Sequence, residues 1–366
     1  MSASTLSEEM LAKFCSVSGR AERPVCKVSG LAAIRLARPD IETAVRFFED
    51  FGLSKCYSNA HMAMMRGTND NTPSIIIERG PARYLGMNFT VASADDLQRL
   101  AAAHGVGVVE AHPERGGQCV LLRDPDNLMV EVIHGWTPLP ALPSGDVVPA
   151  NRPGHTPRIN QTVRLNYKTP PRVCRLGHTV LGVTRFAESL AWYQENLGLI
   201  VSDFQMMETD PLPVVAFMRC DRGDTPTDHH TLALASAVEI GHLHSAFELA
   251  DMDAVVAAGV VLKQRNHHHT WGIGRHILGS QIFDYWRDQE GDMFEHYADG
   301  DLFDAQMPTG YHAFNGEALH QWGPRVSADM AGKVPSFHLV QTLISRIRSN
   351  DDLSLRRLIN LLKAAA

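Results

Sequence analysis

Eighteen histidines are spread through the 366 residues, four of them in the ten-residue stretch HHHTWGIGRH at 267–276. Imidazoles do two kinds of chemistry near neutral pH, metal ligation and proton transfer. The run itself is a poor chelator, because neighbouring side chains on extended backbone point to opposite faces. His267, His268 and His269 are expected in a solvated loop near a pocket mouth. More informative are His178 in RLGHTVLGV, His244 in HLHSAFEL and Glu295 in DMFEHYADG. Each lies in a strand-like run whose alternation groups His178 with Val180, His244 with Ala246, and Glu295 with Met293 and Tyr297. Two neutral imidazoles and one carboxylate make the ligand set suited to Fe(II), with Mn(II) also compatible, and they leave adjacent coordination positions open.

The elements that carry these residues occur twice. LARPDIETAVRFFEDFGL at 36–53 answers to LGVTRFAESLAWYQENLGL at 181–199, each a strand end, an amphipathic helix and a Gly-Leu stop. LGMNFTVASADDLQRLAAAHGVGV (85–108) answers to LHSAFELADMDAVVAAGVVL (243–262), where a strand runs into Asp-rich caps and an Ala-rich helix. LLRDPDNLMVEVIHG (121–135) and YWRDQEGDMFEHYADG (285–300) each place an Arg-Asp turn between two strands. The pattern predicts an α+β fold of two domains, each holding two strand–helix–strands units. Its parts are an extension (1–27), a first repeat domain (28–136), a Pro- and Gly-rich linker (137–173), a metal-binding repeat domain (174–304) and a tail (305–366) with an amphipathic helix near its end. The first half serves as an internal control. Its counterparts to the three ligands are read as Arg35, Gly86 and Glu131, so it is expected to hold no metal, since an arginine offers donors only.

Duplicated units of this kind resemble the vicinal oxygen chelate superfamily, over about 28–136 and 174–300, which implies that each domain is two βαβββ modules forming a curled mixed sheet around a pocket. Further segments resemble its type I extradiol ring-cleaving dioxygenases. DHHTLALA at 228–235 is similar to the strand with their acid–base histidine, here His230. GRHILGSQIFDYWRD is similar to their segment with a histidine and a tyrosine nine apart, here His276 and Tyr285, with Tyr285 ten before Glu295. The resemblance implies Fe(II)-dependent meta-cleavage of a catechol by dioxygen, giving a ring-opened semialdehyde or keto acid. His230 would take the second phenolic proton, and Tyr285 and His276 would hydrogen-bond to the substrate oxygen. It also implies a homo-oligomer whose partners are a catecholic small molecule and O2. Trp271, Phe283, Leu181 and Val183 are expected as walls for the ring. A glyoxalase- or isomerase-type metalloenzyme and a non-catalytic binding protein are the alternatives, the first having no use for the His276/Tyr285 pair and the second none for the triad.

Composition agrees with a small-molecule enzyme. A net charge of −7 with dispersed Lys and Arg argues against nucleic acid. No apolar run approaches the roughly 20 residues of a membrane span, and MSASTLSEEMLAKFC lacks the form of a secretory signal, so a cytoplasmic setting is expected. Six scattered cysteines without C-x-x-C pairs suggest neither a disulfide framework nor a thiolate zinc site. Trp192 is expected to pack its helix on the sheet.

Overall fold

The computed structural model describes residues 6–112, 115–143, 149–315, 319–327, 329–330, 352, 356–357 and 359–360. After a short helix α1 (Glu8–Phe14), the first half runs β1 (Val28–Arg38), α2 (Ile41–Asp50), β2 (Ser54–Ser58), β3 (Met62–Arg66), β4 (Ile75–Arg79), β5 (Arg83–Val91), α3 (Ala94–His104), β6 (Val109–His112), β7 (Gly116–Arg123) and β8 (Met129–His134). The second half repeats it as β9 (Arg175–Val183), α4 (Phe186–Leu197), β10 (Ile200–Met206), β11 (Val215–Arg219), β12 (Thr227–Asp228), β13 (Leu232–Ser236), β14 (Gly241–Glu248), α5 (Met252–Gln264), β15 (His268–His276), β16 (Ile282–Arg287) and β17 (Met293–Ala298). Three short strands follow, β18 (Leu302–Phe303), β19 (Gly310–Ala313) and β20 (His320–Trp322).

The helices start and stop where local chemistry directs. Asp40, Ser93 and Asp251 each accept a backbone N–H at a helix start, and Ser93 with Asp96 completes a capping box. The Gly-Leu stops work because Gly52 and Gly198 take left-handed φ values of 103° and 67°, which a side chain would strain. In each half the first strand of one module pairs antiparallel with the first strand of the next, and each module's last strand returns parallel to its first. The sheets have orders β2-β3-β4-β1-β5-β8-β7-β6 and β19-β10-β11-β13-β9-β14-β17-β16-β15-β20. Residues 310–313 and 320–322, expected in a tail beyond the metal-binding half, thus close both edges of its sheet. Of the amphipathic helix expected at the chain's end, Arg356, Arg357, Ile359 and Asn360 are helical, Asp352 lies in a turn, and the rest is outside the described residues. Arg357 donates to the carbonyls of Leu212 and Pro213, docking this segment on the second half. No described helix is long and apolar enough to cross a membrane.

The halves are joined by buried polar contacts made by the predicted Arg-Asp turns. Arg38 of β1, fully buried, donates to Asp288 at 2.9 and 2.7 Å and to Asp292 at 2.6 Å in the β16–β17 turn. Conversely, Asp126 of the β7–β8 turn accepts from the Thr184 backbone at 2.7 Å, and Asp124 accepts from the Tyr193 hydroxyl at 2.9 Å. Arg38→Met is expected to cost about 3–5 kcal/mol, because Asp288 would stay buried without its cation. The loss reads out as a lower urea midpoint, and the Arg38→Met/Asp288→Asn double variant should recover part of it; an unchanged single variant would show that the bridge contributes nothing.

The strand register revises the internal control. His178 stands opposite Ala246 and His244 opposite Val180; in the first half Ala33 stands opposite Asn88 and Arg35 opposite Gly86. The residue in the place of His178 is therefore Ala33, and Arg35 corresponds to Val180, one pleat further along. Glu131 is buried and paired: Arg35 donates to it at 2.9 Å and Asn88 at 2.7 Å. A guanidinium neutralises this carboxylate where the second half gathers imidazoles.

Candidate metal centre

One row of paired residues crosses five strands of the second sheet: His178, Ala246, Glu295, Tyr285 and Trp271. His244 lies two residues before Ala246 and so shares its face. Backbones two strands apart are separated by roughly 9.5 Å in a flat sheet. Here Ala246, which stands between His178 and Glu295 in the row, has only a methyl group, and the two longer side chains converge across it. His178 Nε2 comes to 3.5 Å, and His244 Nε2 to 3.3 Å, from Glu295 Oε2. One ligand atom from each of the three residues lies within 4.8 Å of the others, a grouping able to hold a metal ion.

Hydrogen bonding tests whether an ion fits. Glu295 is fully buried, yet neither of its oxygens accepts a hydrogen bond, and His244 Nε2, although 3.3 Å from Oε2, makes none either. Buried polar atoms are normally satisfied, and an unpaired carboxylate is among the costliest exceptions. A divalent cation among these atoms would satisfy all three. Burial pushes His244 down to about 4, which keeps it in the neutral form a metal requires. For Glu295 burial acts in the opposite direction, but His178, His244 and His276 outweigh it and hold the carboxyl well below its usual range.

The three other expected site residues meet the same cavity. His230, at the entry to β13, is buried with its ring centroid 3.9 Å from that of His178. Burial, then His178 and His229, drive it well below the ordinary imidazole value, so it rests neutral, with a lone pair on one ring nitrogen. The Tyr285 hydroxyl is 2.9 Å from His276 Nε2, and His276 Nδ1 is 2.9 Å from the Leu319 carbonyl. A carbonyl only accepts, so Nδ1 carries the hydrogen and, in the neutral ring, Nε2 accepts from Tyr285. Burial raises Tyr285 well above its usual value, with Glu295 adding, so its hydroxyl keeps its proton.

The cavity holds about 180 Å³. Beside the polar residues its wall includes Val180, Val215, Phe217, Trp271, Leu278 and Phe314. Such a space is smaller than the roughly 300–1,000 Å³ of pockets for drug-sized ligands.

Comparison with known proteins places this arrangement. Residues 175–296 match the family model of the glyoxalase/bleomycin resistance protein/dioxygenase superfamily. Metapyrocatechase 2 of Cupriavidus necator is 30% identical over 314 residues, covering 84% of this chain and 92% of that protein. The chain belongs to the extradiol dioxygenases of that superfamily. Two solved structures share the fold of this dioxygenase at lower identity. Homoprotocatechuate 2,3-dioxygenase from Brevibacterium fuscum, with 3,4-dihydroxyphenylacetate, has a TM-score of 0.69 at 16% identity, covering 86% of this chain and 95% of that one. The Mn(II)-bound glyoxalase from Novosphingobium aromaticivorans has a TM-score of 0.68 at 20% identity, covering 85% and 95%.

Within the dioxygenase, several expected residues fall elsewhere. Leu181 and Val183 do not line the cavity. They are fully buried in the core beneath α4, because the alternation that puts His178 and Val180 inside turns odd-numbered residues of β9 to the other face. Phe283 is not among the lining residues: it stacks on His276 with centroids 4.2 Å apart and packs at a tilt on Trp271 at 4.1 Å, so it supports two residues of the wall. The histidine run is not a solvated loop: His268 and His269 open β15, and His267, His268 and His269 approach Asp50, Asp329 and Asp284 at 2.8, 3.1 and 2.7 Å. Gln205, Gln281, Phe314, Leu319 and Met330 line the cavity without having been expected there. Three polar residues, Ser202, Asp203 and Gln205, in one short strand bounded by apolar residues were a usable signal for Gln205; the tail residues carried none.

Proposed function

We propose that the protein cleaves a single-ring catechol in the extradiol manner with O2, using Fe(II) held by His178, His244 and Glu295. The observation that supports this most is the convergence of unsatisfied buried ligand atoms beside a histidine, a tyrosine and an apolar chamber, in a chain 30% identical to a metapyrocatechase. Bound Fe(II) would supply Lewis acidity toward the diol hydroxyls and electrons toward dioxygen. The protein does the rest through position and proton handling. His230, neutral at rest, accepts the remaining diol proton. The Tyr285 hydroxyl, whose hydrogen rests on His276 Nε2 at 2.9 Å, turns to donate that hydrogen to the reacting oxygen, and His276 holds it ready between the two positions. Val180, Phe217 and Trp271 hold the ring and keep water out. The chamber's size favours catechol and short alkyl catechols over biaryl substrates.

The test is anaerobic reconstitution with Fe(II), followed by catechol and air. One dioxygen is expected to disappear per ring while a yellow product forms, whereas Mn(II) loading is expected to give less turnover. Oxygen left untouched despite stoichiometric iron, across catechol and its 3-alkyl, 3-aryl and carboxylated forms, would overturn the reading.

A further inference from the structure

His230 belongs to a longer chain of polar contacts that the chemistry above does not use. Its Nδ1 lies 2.9 Å from His229 Nδ1; His229 Nε2 lies 2.5 Å from Asp203 Oδ2; Asp203 Oδ1 lies 2.8 Å from His312 Nε2. His312 Nδ1 in turn lies 3.3 Å from Glu8, an exposed residue of α1. The series runs from the cavity wall to the surface. Its inner members are fixed in place: the Ser202 hydroxyl donates to the His229 carbonyl at 2.5 Å, and the His229 N–H donates to Asp301. Room for it is kept by two glycines. A Cβ on Gly310 would collide with the Asp203 carboxylate, and one on Gly279 would come within 3.1 Å of His229 Nδ1.

These contacts dictate where the hydrogens sit. An ionised carboxylate only accepts, so His229 donates from Nε2 to Asp203. In neutral His229 the Nδ1 is then a lone pair. The proton between the two Nδ1 atoms must therefore belong to His230. That leaves His230 Nε2 unprotonated, and it is the nitrogen remaining for the cavity that the ring lines. We propose that Asp203 and His229 are positioning residues that fix His230 in the tautomer able to accept a proton from substrate, with His312 holding the far oxygen of Asp203. The carboxylate is ionised as this requires: burial would raise it, but hydrogen bonds from His229 and His312 hold it well below the usual range. The logic is that of a carboxylate orienting a base through an imidazole, in which an amide in place of the carboxylate reverses the hydrogen-bond polarity and presents the wrong tautomer.

This inference rests on His230 being the proton acceptor of the proposed reaction, and its test separates the two. Asp203→Asn is expected to lower kcat about 30-fold, with iron content and the KM for catechol within twofold of wild type, in line with partners one step removed from the chemistry. His229→Asn keeps an acceptor oxygen near the place of Nδ1 and is expected to retain at least one-third of wild-type kcat, whereas His229→Leu is expected to fall as far as Asp203→Asn. The tautomer is read directly by 15N NMR of histidine-labelled, Zn(II)-loaded protein. The wild type should show His230 protonated at Nδ1, and Asp203→Asn should shift it toward Nε2. Protonation of wild-type His230 at Nε2, or wild-type kcat in both Asp203→Asn and His229→Leu, overturns the inference while leaving the dioxygenase reading intact. Absence of oxygen uptake by the wild type overturns that reading, and the NMR result stands apart from it.

Discussion

Glu295→Gln is expected to abolish stoichiometric iron binding and to lower oxygen uptake with catechol at least 10³-fold, equivalent to about 4 kcal/mol of lost barrier reduction. Glu295 is the single anionic member of the trio, and both of its oxygens are buried without donors. The amide is isosteric, so the packing against His178, His244 and Tyr285 is kept. What it lacks is the charge that balances a divalent cation in an apolar chamber, and its NH2 presents hydrogens where the ion needs lone pairs. A second readout follows from linkage. A ligand that binds only the folded state adds about 4 kcal/mol at a thousand times its dissociation constant, so Fe(II) should raise the melting temperature of the wild type and leave that of the variant unmoved. One iron per chain with near-normal turnover in Glu295→Gln would remove this residue from the ligand set.

His230→Phe should produce the opposite separation, full iron content with kcat lowered by about 10²–10⁴, the range ascribed to a positioned general base. The substituted ring can occupy the same slot, since His230 already packs edge-on to Phe217 with centroids 5.2 Å apart. It cannot take a proton. Iron assay together with an oxygen electrode distinguishes the outcomes: parallel loss of metal and turnover would make His230 a ligand or a packing residue, and wild-type turnover would make it a bystander.

Much of the architecture was legible because duplication repeats its own signals. The helix stops at Gly52 and Gly198, the caps at Ser93 and Asp251 and the paired Arg-Asp turns all leave local marks. The trio could be found because a histidine or glutamate on an apolar strand face is conspicuous against its neighbours. What escaped depends on register and on distance along the chain. Leu181 and Val183 lie beside the site in sequence but on the wrong side of the pleat. Arg35 was matched as the notable polar residue, whereas the pairing of β1 with β5 puts Ala33 in that place. The histidines at 267–269 read as a loop because nothing nearby in sequence announces their carboxylates, which come from residues 50, 284 and 329. Asp203 and His312 are separated by more than a hundred residues and meet only because β19 pairs with β10.

The placement of β19 and β20 at the two sheet edges bears on how the enzyme matures. All three converging side chains have been translated once Glu295 has been added, whereas Phe314, Leu319 and Met330 emerge from the ribosome later. The nascent chain thus owns every proposed ligand before its chamber has a roof, and an ion arriving during synthesis meets an open bowl instead of a finished enclosure.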